Sequence, residues 1–257
     1  MHPASADWRY LGHGEALAAE AGLDEVDMVI NCALDPRLKK QSYEPGLDVD
    51  LRLAQRLAAR TEVRYVMLGT RMSYGPAGPG GRLVETDAAR PLHPYGCARL
   101  ETERRLGELL GERLTVLRLS NIFGYEDVPG RSSFFAIALR SLREHGRIVL
   151  DMSPFVERDF LSVDTLAGWL ARIAERPAGG VYNLGAGFGT PTGRIAQWLI
   201  EGFGAGELRV TDLREYDAFW LDVGKAVAAF GIDLPEPEAV REQCRALGRR
   251  LRQELKR

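Results

Sequence analysis

The chain has 257 residues, 45% of them hydrophobic and 27% charged, with a formal net charge of −2. That length holds one domain with a generous core, or a domain plus a small lobe, and the composition is that of an ordinary soluble globule. The near-neutral charge argues against a nucleic-acid partner, no apolar stretch is long enough to span a bilayer, and the opening MHPASADWRY lacks a signal-peptide core. Three cysteines (Cys32, Cys97 and Cys244) have no metal or redox spacing, and their odd number predicts a reducing, cytoplasmic setting.

In chain order, EVDMVINCAL (25–34) is a short branched apolar run and predicts a buried parallel strand. DVDLRLAQRLAAR (48–60) carries leucine and alanine at helical spacing, with Asp48 placed to cap it. VRYVMLGT (63–70) predicts a second buried strand, followed by the glycine- and proline-rich loop RMSYGPAGPGGRLVETD and a helix over about 94–110. LTVLRLSN (114–121) predicts a third strand. Strands separated by helices of this length imply right-handed βαβ units and a parallel sheet covered on both faces. Further on, helices are predicted at SFFAIALRSLREHG, from Asp164, at TGRIAQWLIEGF and near the C-terminus, and strands near RIVL, DFLS and GVYNLG. There is no internal repeat and no long linker.

Five segments, in order, resemble the extended short-chain dehydrogenase/reductases that modify nucleotide sugars, the NAD-dependent epimerase/dehydratase family. They are VINCAL, LGTRMSYG, ETDAARPLHPYGCARLETE, LRLSNIFG and RDFLSVDTLA, with weaker echoes at GGVYNLGAG and LDVGKAVAAFGI. The resemblance runs from about residue 25 to 232. It implies an α/β fold with an incomplete Rossmann-like doubly wound parallel sheet. Residues 1–130 would form a truncated core, and 131–257 a substrate lobe interleaved with the last core strand.

The family pattern opens with a strand, a G-x-x-G-x-x-G turn and a helix whose N-terminus takes the cofactor pyrophosphate. Here the strand that holds VINCAL, which resembles the family's fourth strand, begins at about Val26, so the units carrying that turn are expected to be absent. Gly75, Gly78 and Gly81 spell the motif, but Pro76 and Pro79 remove amide donors and no helix follows directly. Gly185, Gly187 and Gly189 lie between a strand and a helix and make a better anion cradle, although a plain strand-to-helix turn explains them too. The resemblance implies NAD or NADP; the missing motif leaves open that no cofactor binds.

Carried over by motif, Tyr95 is the acid/base, Thr70 its hydroxyl partner, and Arg99 stands where the family has lysine. A free tyrosine has a pKa near 10, so a nearby cation is needed to make it a base at neutral pH. Arginine supplies the charge but is a differently shaped donor that does not surrender its proton. Asp50 is a second departure, at a position where the family often has asparagine. On the substrate side the resemblance makes Asn121 a ligand of the nucleotide diphosphate and Arg158 a ligand of the phosphates or the nucleotide ribose, with Arg214 a further phosphate candidate. His93 lies beside the tyrosine turn; His13 and His145 show no metal-ligand spacing.

Without the first units, the strand near Val29 is expected at a sheet edge, covered by the N-terminal segment, by a second copy in a homodimer, or by a different protein. Three readings follow: an enzyme on a nucleotide-linked sugar (epimerase, dehydratase or reductase) with a degenerate NAD(P) site; a cofactor-independent proton-transfer enzyme on a keto-sugar; or a non-catalytic sugar-nucleotide-binding or regulatory subunit.

Overall fold

The computed structural model describes residues 7–18, 23–126 and 130–256. Four strands form the central sheet: β1 (Met28–Asn31), β2 (Arg64–Thr70), β3 (Leu114–Leu119) and β4 (Gly180–Leu184). All neighbours are parallel and the order is β1-β2-β3-β4. The register aligns Ile30 with Val66, Met67 with Val116, and Leu117 with Tyr182.

Alternation along the strands sends side chains to opposite faces. Tyr65 and Met67 face helices α1 (Val49–Leu57) and α2 (Pro94–Leu110), where Leu53, Leu57, Leu106 and Leu110 close one core. Val66, Leu117, Tyr182 and Leu184 face Leu166, Trp169 and Ile173 together with Ala226 and Phe230. Of the side chains that meet them, the first three belong to α4 (Val163–Glu175) and the last two to α6 (Gly224–Phe230). Val66 and Leu117 are fully buried, and each such side chain contributes about 1.5–3 kcal/mol.

A second core lies in the later half, between α3 (Phe134–His145), α5 (Thr192–Phe203) and α7 (Pro237–Glu254). Its helices start and stop where the sequence marks them. Ser133 caps α3 by accepting from the Ala136 amide, and Gly146 ends it in the left-handed conformation. Helix α1 is shorter than its periodicity predicts, stopping at Leu57; beyond it Arg60 turns back to the carbonyls of Leu23 and Val26, and Glu62 accepts from its Nε at 3.0 Å.

Strand β1 stands at the end of the sheet, with Met28, Val29 and Ile30 only half-buried. Among the described residues its outer side pairs with no strand. The N-terminal Leu11, Ala16 and Leu17 pack instead against the α1/α2 core, and Arg56 donates to the carbonyls of Ala16 and Ala18.

Candidate active site

The C-terminal end of β2 and the N-terminal turn of α2 build the site together. Thr70 is the last residue of β2 and caps the short turn Arg71–Ser73, its hydroxyl accepting from the Met72 amide at 3.2 Å. Helix α2 begins at Pro94, whose missing amide costs nothing at that position, and His93 Nδ1 accepts from the Tyr95 amide at 3.2 Å. His93 is thus exposed and serves as the cap. Gly96 lets the helix press on the turn: a Cβ there would lie 2.4 Å from the Met72 carbonyl oxygen. This close approach brings the half-buried Tyr95 beside Thr70, near enough for the Thr70 hydroxyl to act on the phenol.

One helical turn on, Arg99 is almost fully buried. Its Nη1 lies 2.7 Å from Asp50 Oδ2 and its Nη2 donates to the Leu68 carbonyl at 2.7 Å. Asp50 also accepts from Tyr65 Oη at 2.9 Å and Asn31 Nδ2 at 2.8 Å. The two departures noted in the sequence therefore answer each other, the added negative charge facing the replaced cation. Burial raises the Tyr95 pKa; Arg99 and the Thr70 hydroxyl pull it down and Asp50 pushes it up, leaving it above the ordinary phenol value. Tyr95 therefore holds its proton at neutral pH.

Lower on the same helix, Glu103 forms a buried pair with Arg118 at 2.7 Å. Arg118 lies over the Tyr74 ring, and Tyr74 Oη donates to Asn183 Oδ1 at 2.6 Å. Together with Thr102, which donates to Asp48 at 2.7 Å, this polar seam fixes α2 to the sheet.

The residues do not fit a dinucleotide grip of the kind the family resemblance implies. Both terminal nitrogens of Arg99 are committed inside the protein, and its Nε is buried with no partner among the described residues. In the Gly185–Gly189 turn, the Ala186 and Gly187 amides donate to the carboxylate of Asp159 at 2.7 and 3.3 Å. A Cβ on Gly185 would sit 2.3 Å from that carboxylate. Asp159 further accepts from the Leu221 amide at 3.1 Å, and burial pushes its pKa up to about 6. In the Gly75–Gly81 loop the Ala77 amide donates to Asp217 at 2.9 Å.

On the substrate side, Asn121 donates its Nδ2 to the Asp159 carbonyl at 3.1 Å. Arg158 is half-buried in a two-residue strand; its Nε is buried without a partner, and no carboxylate pairs with it among the described residues. Burial and the neighbouring Arg71 charge both lower its pKa. Arg71, the residue after Thr70, pairs with Asp217 at 2.6 Å and lies over the Phe219 ring at 3.9 Å. Arg214 is exposed and paired with Asp212 at 2.5 Å, so it is not brought to Thr70 and Tyr95 by any described contact. A cleft of about 400 Å³ opens between residues 77–81, Glu157 and residues 217–220. Asp217, the partner of Arg71, lines it, and Tyr95 does not.

Residues 12–185 match the NAD dependent epimerase/dehydratase family. The chain belongs to that family. It is 30% identical over 254 residues to a dTDP-6-deoxy-L-talose 4-dehydrogenase (NAD(P)(+)) of Kitasatospora kifunensis, covering 92% of this chain and 80% of that protein. Its fold is similar to that of a UDP-glucose 4-epimerase of Thermotoga maritima solved with UDP-glucose, with a TM-score of 0.74, 22% identity, and coverage of 89% and 78% of the two chains. It is also similar to RMD of Pseudomonas aeruginosa solved with NADPH, with a TM-score of 0.71, 20% identity, and coverage of 93% and 87%.

Sequence reasoning about this epimerase/dehydratase family member missed three groups: Arg71, Asp217 and the Asp159 clamp. For the Arg99–Asp50 pair a signal existed, since one family departure exchanges one cation for another and the other adds a negative charge that can face it. Arg71 and Asp217 are 146 positions apart, and no local pattern joins them.

Proposed function

We propose that this chain binds a nucleotide-linked sugar, with Arg158 toward the diphosphate and a sugar oxygen at the Thr70–Tyr95 pair, where Tyr95 acts as proton donor. The reading rests above all on the closeness of Tyr95 to Thr70 at the junction of β2 and α2, where Gly96 lets the start of α2 press on the turn after Thr70. Family membership and a relative that acts on a dTDP-sugar support it.

The chemistry follows from charge placement. With its proton retained, the Tyr95 hydroxyl donates to a carbonyl or developing alkoxide oxygen on the sugar, and Thr70 supplies the second contact. A hydroxyl aimed at developing negative charge in a half-buried site stabilises it more than water does. When a C–H proton beside the keto group leaves to solvent, its bonding pair makes the carbonyl oxygen an enolate. The Tyr95 Oη proton passes to that oxygen, and solvent returns a proton to the phenolate. This suits a keto-sugar oxygen better than abstraction from a hydroxyl. Burial, with a smaller contribution from the Asp50 carboxylate, keeps Tyr95 in this donor state.

The test is binding followed by substitution. UDP- and dTDP-linked sugars at a hundred times their dissociation constant are expected to add about 2.7 kcal/mol to stability. Tyr95→Phe is expected to keep that shift while turnover falls by about 10²–10⁴-fold. Absence of any shift, or full turnover in Tyr95→Phe, overturns the reading. Binding without turnover in the unaltered protein makes it a sugar-nucleotide-binding subunit, a role the closed Arg99–Asp50 pair favours. Titration with NADH and NADPH is expected to give no micromolar binding that depends on Arg99. Such binding, lost in Arg99→Ala, would mean that the guanidinium leaves Asp50 for the ribose.

A further inference from the structure

The residue after Thr70 is a cation, and a second cation lies close to it. Arg158 is bridged through its backbone to Phe219, whose ring lies 3.9 Å from Arg71 Cζ, so the two cations flank one residue, and the nearby carboxylate, Asp217, is paired with Arg71 at 2.6 Å. Two positive charges thus share one negative charge in a half-buried setting, where like charges repel strongly. Arg158 carries the excess: its Nε is buried and unsatisfied, and no described carboxylate pairs with it. Arg71 lies over the Phe219 ring, its Cζ 3.9 Å from the ring centre, and it is the Nη1 atom that pairs with Asp217; a guanidinium is a planar fork with donors on more than one edge. Asp217 itself is anchored from behind by the Ala77 amide at 2.9 Å and lines the cleft between residues 77–81 and 217–220.

We propose that Arg71 and Arg158 together bind an oxyanion of the substrate, with Asp217 as the internal counter-ion that holds Arg71 in place until the ligand arrives. This rests on the sugar-nucleotide reading above and sharpens it, because it makes Arg71 a specificity-determining residue. Two groups on such a ligand have this chemistry: the diphosphate, and a carboxylate on the sugar ring. Arg71 directly follows Thr70 in the chain, which puts its backbone at the sugar end and gives a ring carboxylate a natural partner. Paired planar donors suit either group, since bidentate contacts with carboxylate or phosphate oxygens are both short and strong.

The experiment uses the full chain, with UDP-glucose and UDP-glucuronic acid as probes, in titration calorimetry of the unaltered protein, Arg71→Gln and Arg71→Lys. If the oxyanion is the ring carboxylate, UDP-glucuronic acid binds at least tenfold tighter than UDP-glucose, and Arg71→Gln erases that preference. If it is the diphosphate, Arg71→Gln weakens both probes by at least tenfold, to the same extent. In either case Arg71→Lys, which keeps the Asp217 pair, retains part of the affinity, so a folding defect is not mistaken for a binding one. Unchanged affinity for both probes in Arg71→Gln overturns the inference and leaves the sugar-nucleotide reading standing. Failure of both probes to bind the unaltered protein overturns the two together.

Discussion

Arg99 and Arg158 both lie beneath the surface of the candidate site, and the protein treats them differently. Arg99 is sealed against Asp50 at 2.7 Å, with Tyr65 and Asn31 completing the carboxylate's contacts. Arg158 has no carboxylate partner among the described residues, a buried unsatisfied Nε, and another arginine beside it. A buried ion pair that is complete adds little over an apolar replacement, but breaking it is costly, because one charge is left alone. An incomplete cation is a liability to folding and an asset to binding. The contrast sets an arginine whose charge is answered inside the protein against one whose charge is not, which is why the proposed reading gives the second to the ligand.

The sharpest way to break this contrast is to remove one side of the sealed pair. Asp50→Asn is expected to lower unfolding stability by about 3–5 kcal/mol, since Arg99 is left buried and uncompensated. Combining it with Arg99→Met should recover most of the loss, read as a double-mutant cycle in urea; independent, additive losses would mean the pair is not coupled.

A smaller effect comes from Asp159, whose buried carboxylate is answered by amides in place of a cation and whose pKa is raised to about 6. The folded state keeps this proton to a higher pH than the unfolded chain, where aspartate titrates near 3.9. Stability therefore falls as pH rises from about 4 to 6, by roughly 2–3 kcal/mol, and this contribution levels off above that window. Urea midpoints measured across the window should show the decline in the unaltered protein and lack it in Asp159→Asn; parallel curves would refute the assignment.

Smaller again, Arg158→Met is expected to change stability by no more than about 1 kcal/mol, and in the favourable direction, as for groups retained for binding at a cost to the fold. A large loss in a thermal melt would move Arg158 into the framework class. At the bottom of the scale, Arg104→Gln, in an exposed network with Glu101 and Glu108, should leave the midpoint where it was.

Much of this architecture can be read from the chain. The runs around Val29, Val66, Val116 and Tyr182 are parallel strands because both faces are covered, and the start of α2 at Pro94 follows from proline's fixed backbone. The Thr70–Tyr95 contact is legible because one residue ends a strand and the other opens the next long helix. Charge pairing is not legible in the same way. Arg99 and Asp50 are 49 positions apart and Arg71 and Asp217 are 146 apart, and their meeting depends on how sheet and loops close. The glycines at 185, 187 and 189 illustrate the same limit: their spacing suits an anion, and the anion is the protein's own Asp159.

A methyl group that is not there governs the spacing of two hydroxyls. Because residue 96 has no side chain, the first turn of α2 rests directly on the Met72 carbonyl, and the separation of the two backbones that carry phenol and threonine is set by main-chain contact. An alanine at 96 acts as a wedge that tilts the helix away from the strand end and parts the pair without touching either member, so the reach of the chemistry is encoded at a position that has no chemistry of its own.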